Sequence, residues 1–215
     1  MPIRTIPKSY RNVTGVAAST KSVGAAQFES PLERDFIALL EFSPDVVRYE
    51  VQPVTIDWTD SQGQARHYTP DILVEFIPKL QHPPWLCEVK YRSTLQKEWP
   101  ELRPRFRQSI RYAKAQGWRF HLVSEVEIRT PLLANVRFLQ PYRERSVPDT
   151  SITIILQALS QQPEGTVTEL LNALSSDLYQ QAELLPAVWH LVANFRIGVD
   201  LNSPLNMDSS LWSLQ

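Results

Sequence analysis

CEVKYR (Cys87–Arg92), read together with YTPDILVEF (Tyr68–Phe76), decides the fold of this chain. Trp85, Leu86, Cys87 and Val89 make residues 85–91 read as a buried strand, yet Glu88 and Lys90 stand two positions apart within it. Side chains at i and i+2 of a strand share a face, so the acid and the amine project together while Val89 turns to the core. Seventeen residues upstream of Glu88, Asp71 follows a proline at the head of a second apolar strand, 67–77. If the two strands are neighbours, Asp71 lies opposite Glu88 and Lys90. Half-buried charges cost several kcal/mol unless they are paired or metal-bound. Two carboxylates beside one ammonium therefore point to a divalent metal and a reactive water. Carboxylate oxygens are hard ligands suited to Mg²⁺, with Mn²⁺ the alternative, and an incomplete shell leaves room for a phosphate oxygen. One such ion, or two about 4 Å apart, would polarise a phosphoryl group and acidify water. Lys90 would orient that water or offset charge on phosphorus.

Working outward, Ser30-Pro31-Leu32-Glu33 has the form of a capping box with proline at the first helical position, followed by Phe36, Leu39 and Leu40 on one face. VVRYEVQPVTIDW (46–58) reads as a strand bent at Pro53. With 67–77 and 85–91 it predicts an antiparallel meander. A helix over 104–116, ended by Gly117, leads to a fourth strand at 119–128, parallel to 85–91. Another helix covers 130–143. The expected fold is an α/β mixed sheet flanked by helices, over residues 28–147. After a linker at 144–149, helical patterns at 151–160, 166–175 and 182–195 precede a hairpin-like ending. Residues 148–215 thus read as a small, mainly helical, winged-helix-like domain.

The 215-residue chain carries a net charge of −1, which hides an asymmetry. Residues 1–147 hold 21 Lys and Arg against 16 Asp and Glu; residues 148–215 hold one basic residue, Arg196, against seven acids. The first part suits a polyanion. The second would repel phosphates over a Debye length of roughly 8 Å and is expected to bind protein. Residues 1–27 form a basic arm with Arg4, Lys8, Arg11 and Lys21 and no acid before Glu29. Arg103, Arg107, Arg111 and Lys114 recur at helical spacing as a basic stripe that positions DNA without reading its sequence. Lys8, Arg11, Lys21 and this stripe are the expected DNA contacts. The start lacks an apolar signal region, the single Cys87 cannot form an internal disulfide, and CxxC and HExxH patterns are absent. These features predict a cytoplasmic chain without a zinc site. Simpler roles exist for several residues: Glu33 as the helix cap, Glu88 and Lys90 as a surface ion pair, His67 as a half-exposed strand residue, and Trp85, Trp99 and Trp118 as core or interface.

Pro70-Asp71 followed by Glu88-Val89-Lys90 matches the PD-(D/E)xK nuclease pattern. Together with SPLERDF before the strands, YEVQPVTI (49–56) and SEVEIRTPLLANVRFL (124–139), the chain resembles the TnsA-type transposon endonucleases over roughly residues 20–215. The resemblance implies a restriction-endonuclease-like catalytic fold and a metal-dependent endonuclease that cuts the 5′ ends of a transposon. A TnsB-type transposase would process the 3′ ends, and a TnsC-type AAA+ ATPase would meet the C-terminal domain. It implies catalytic roles for Glu33, Asp71, Glu88 and Lys90, and a metal held at Glu33, Asp71, Glu88 and Val89. A repair or restriction nuclease of the same fold, or a catalytically silent DNA-binding adaptor, are the alternatives.

Overall fold

A computed structural model describes residues 14–214; Lys8 and Arg11 of the expected basic arm lie outside them. The chain divides into two compact units, Met1–Ile128 and Arg129–Gln215. No helix among the described residues is long and apolar enough to cross a membrane.

The first unit opens with a hairpin of β1 (Gly15–Ala17) and β2 (Ala26–Phe28), followed by α1 (Pro31–Phe42). The start of α1 follows the sequence rules: the Ser30 hydroxyl accepts the Glu33 N–H, and Pro31 fills a first-turn position where no intrahelical donor is needed. Leu32, Phe36, Ile37 and Leu40 form its buried face. Next come β3 (Val46–Val51), β4 (Ile56–Thr59), β5 (Ala65–Tyr68), β6 (Ile72–Phe76) and β7 (Trp85–Val89). The main sheet has the order β3-β6-β7-β8, where β8 is Arg119–Val123. It is antiparallel between β3 and β6 and between β6 and β7, and parallel between β7 and β8. The mixed sheet and the helical crossover between its parallel strands match the expected fold.

The two longer strands expected from the sequence are each broken. Gln52 adopts a positive φ of 50°, and the chain leaves the sheet there as β4 and β5, a separate hairpin paired from Ile56–Tyr68 to Thr59–Ala65. It rejoins where the Gln52 N–H donates to the Asp71 carbonyl at 2.8 Å. The crossover helix α2 runs Arg92–Ala115, three turns longer than expected, with Pro100 and Pro104 inside it. Gly117, at φ 75°, supplies the left-handed turn that ends it. β8 stops at Val123, and α3 (Glu125–Ile128), one helical turn, replaces the end of the expected strand. Leu73, Leu86, Ile56 and Ala113 form a core cluster with Phe120 and Trp118, seating α2 on the sheet.

The second unit contains α4 (Pro131–Arg143), α5 (Asp149–Gln161), β9 (Glu164–Thr166), α6 (Val167–Leu174), α7 (Leu178–Ala193), β10 (Ile197–Val199) and β11 (Ser210–Ser213). Helices α5, α6 and α7 with a sheet of order β10-β11-β9, whose β9 lies between α5 and α6, make a winged-helix-like unit that follows α4. The helix over 131–143, grouped with residues 28–147 in the sequence reading, belongs to the second unit. Its buried Asn135 donates to the carbonyls of Leu201 and Ser203 at 2.8 and 2.7 Å and accepts the Leu205 N–H at 3.1 Å, which ties the long β10–β11 connection to α4. α6 begins with a complete capping box between Thr166 and Glu169.

Candidate active site

β6 and β7 pair Leu73 with Leu86 and Ile72 with Cys87. One residue beyond, the antiparallel register brings Asp71 opposite Glu88. Strand alternation then puts Asp71, Glu88 and Lys90 on one face, while Cys87 and Val89 point to the core, both nearly fully buried. The Asp71 carboxylate is fixed by its neighbours: Oδ2 accepts the Val89 N–H at 2.7 Å and lies 3.3 Å from Lys90 Nζ. The same ammonium lies 2.8 Å from Glu88 Oε1 and donates to the Val89 carbonyl at 3.2 Å. Lys90 therefore bridges the two acids.

Glu33 reaches this centre from α1. Its Oε2 accepts the Glu29 N–H at 2.7 Å and its Oε1 accepts the Ser30 hydroxyl at 2.9 Å. The helix cap fixes this carboxylate, and burial first and the Asp71 charge next favour its protonated form.

The electrostatics show a shortage of positive charge. Burial, then the Asp71 charge, raises the Glu88 carboxyl to about 8, against the pull of Lys90. Burial and Asp71 likewise raise Glu33 to about 7. Burial raises Asp71 too, opposed by Lys90 and the Val89 N–H. Burial works against the Lys90 ammonium, but Asp71 and Glu88 outweigh it and hold Lys90 protonated above its ordinary range. One ammonium faces three acids, one buried and two half-buried, and burial favours keeping protons on them.

Among the described residues, no three His, Cys, Asp or Glu side chains stand close enough to cage an ion as they are placed. The donor set still fits a hard cation. Glu88 is 1% exposed, and apart from the ion pair its two oxygens have no aligned hydrogen bond. An oxygen-rich site with more acids than cations suits Mg²⁺ or Mn²⁺.

Two further groups escaped the sequence reading. The Glu29 carboxylate adds to the negative field on Asp71 and accepts from Gln52 Nε2 at 3.1 Å. The Tyr68 phenol faces Glu88; burial and then the Glu88 charge push its ionisation far above the ordinary range. Arg105 lies over the Tyr68 ring at 5.9 Å. Tyr68 ends the strand next to Pro70-Asp71, which was its one visible signal.

The expected DNA contacts separate. Arg103, Arg107, Arg111 and Lys114 are all exposed on α2, and the three arginines line a groove against the β4–β5 hairpin. Lys21 instead donates to the carbonyls of Leu40, at 3.3 Å, and Ser43 at the C-terminal end of α1. His67 is exposed in β5 and lines the groove rather than the acid cluster. Trp99, read as core or interface, is 45% exposed.

A family model described as TnsA-like endonuclease N terminal matches residues 43–125, and one described as TnsA endonuclease C terminal matches residues 127–201. The chain belongs to the TnsA-like endonuclease family. The N-terminal match contains Asp71, Glu88 and Lys90; Glu33 lies upstream of it. The boundary between the two matches falls beside the division of the TnsA-like chain into its two units. A comparison with the curated proteins gives no match.

Proposed function

We propose that this TnsA-like chain is a Mg²⁺-dependent DNA endonuclease that cuts the 5′ strands at transposon ends. In this reading a TnsB-type transposase processes the 3′ ends and a TnsC-type AAA+ ATPase regulates the pair. The observation that carries it is the Lys90 ammonium between Asp71 and Glu88, within a cluster that holds more acids than cations. Asp71, Glu88 and the Val89 carbonyl, with Glu33 from α1, would hold the metal. Bound there, it supplies Lewis-acid polarisation of a phosphoryl oxygen and a more acidic water.

The chain's own groups do the rest. Val89 N–H fixes the Asp71 rotamer, so that carboxylate needs little reorganisation. Lys90 Nζ donates to the phosphoryl oxygen that gains charge as water attacks phosphorus and the bond to the departing strand breaks. Glu33, raised to about 7 in the metal-free chain, gives up its proton before it can serve as a ligand. The second unit acts by binding protein: five arginines against eight acids over 129–215 disfavour DNA, and all but one of those arginines lie before residue 148, which fits a role for the acidic remainder as the docking module for the ATPase.

The test incubates the chain with the partner transposase, donor DNA and Mg²⁺, and maps strand ends. Cuts at the 5′ boundaries should disappear in Asp71→Ala and Lys90→Ala while the assembled complex persists. Undiminished 5′ cutting by Asp71→Ala would remove the enzymatic reading and leave the adaptor role.

A further inference from the structure

A groove of about 1100 Å³ runs between the β4–β5 hairpin and the middle of α2. Five arginines line it, Arg66 from β5 and four from α2, against two acids, Asp60 and Glu101. Asp60 is already paired to Arg66 at 2.9 Å. Two indoles share the lining, Trp58 from the hairpin and Trp99 from the helix. Trp99 packs on Phe106 at a steep ring angle, with centroids 6.1 Å apart, and still keeps 45% of its surface exposed.

Each half of this lining selects for something different. Arginines track phosphates on any nucleic acid, paired or not. An indole gains stacking energy only from a base whose flat face is open, and a paired duplex keeps those faces against each other. The combination favours an unpaired strand over a helix. The groove also meets the acid cluster: Arg105, one of its arginines, lies over Tyr68, and Tyr68 faces Glu88.

We propose that this groove is a single-stranded DNA site that holds the strand flanking the scissile phosphate in unpaired form. Its placement beside the cut rests on the endonuclease reading, whereas binding can be measured without cleavage. Phosphates run along Arg103, Arg107 and Arg111 while bases stack on Trp99 and Trp58. The stripe seen in the sequence is then one wall of a channel, and the hairpin supplies the other.

The test is fluorescence anisotropy of the full-length chain in EDTA, where strand cutting plays no part. The probes are labelled oligo(dT) of about twelve nucleotides, oligo(rU) of the same length, and a matching DNA duplex, with site length chosen from the range for stacking platforms. Oligo(dT) should bind more tightly than the duplex. Trp99→Ala should weaken oligo(dT) binding by about tenfold and change duplex binding by less than about twofold. Trp99→Phe should restore most of the loss, and Arg107→Glu should weaken both DNA forms. Equal loss for single strand and duplex in Trp99→Ala, or no loss, would overturn the proposal. Tighter binding of oligo(rU) than of oligo(dT) would overturn it in favour of RNA.

Discussion

Glu88→Gln should stabilise the metal-free protein at pH 8 and leave it unchanged at pH 4.5. The wild-type carboxyl moves from an ordinary 4.5 to about 8 on folding. Below 4.5 the acid is neutral in both states and costs nothing. Between 4.5 and about 8 the unfolded chain releases the proton and the folded chain keeps it, so stability falls as pH rises. At roughly 1.4 kcal/mol per pH unit, that interval sets a ceiling of about 5 kcal/mol. Glutamine lacks this dependence, and the pull of the Lys90 ammonium 2.8 Å away is already contained in the folded-state value. The expectation is a gain below that ceiling at pH 8, at about 2–4 °C per kcal/mol in melting temperature for a chain of this size. Circular-dichroism melts in EDTA at the two pH values read it. Adding Mg²⁺ at pH 8 should raise the wild-type melt and narrow the gap to the variant. A variant that is less stable than wild type by the same amount at both pH values would show that Glu88 is an ionised, stabilising partner of Lys90. The shortage of positive charge inferred for the site would then be wrong.

Lys90→Ala removes the cation between Asp71 and Glu88. It should lower 5′ nicking by about 10²–10³-fold and lower the metal-free melting temperature more at pH 8 than at pH 4.5, by gel mapping and thermal melts. Ser30→Ala removes the α1 cap and one hydrogen bond to Glu33. Denaturant unfolding should show a loss of about 1 kcal/mol, and the pH profile of nicking should move to higher pH because the Ser30 hydroxyl lowers the Glu33 pKa. In the second unit, a Cβ at Gly198 would meet Trp212 Nε1 at 2.0 Å. Gly198→Val should therefore cost about 1–3 kcal/mol, and Trp212→Ala in the same chain should recover part of it.

The acid centre was legible because strand geometry alone assembles it. Alternation puts Glu88 and Lys90 on one face, and one antiparallel neighbour suffices to add Asp71. Glu33 was legible as a cap and, through the resemblance, as a member of the cluster. Glu29 and Tyr68 were not, since both depend on the reversal at Gln52, a positive-φ residue with no glycine to mark it. The first three turns of α2 were hidden by Pro100 and Pro104, which ordinarily break helices. Here the acceptors they strand belong to the exposed residues Gln96 and Pro100, which water can satisfy. The groove was invisible for a related reason. Spacing shows the stripe on one helix, but the opposing wall comes from a hairpin that the sequence presents as parts of two longer strands.

That hairpin departs from and returns to the main sheet at a single rung, since Val51 pairs with Ile72 and the Gln52 amide closes onto the Asp71 carbonyl. The twenty residues from Gln52 to Asp71 are in effect a loop with a welded base. Lengthening its tip, trimming it or recolouring its charges leaves the catalytic strands in register. Changes at that tip are therefore expected to reshape the groove wall while the pairing of β6 with β7 holds.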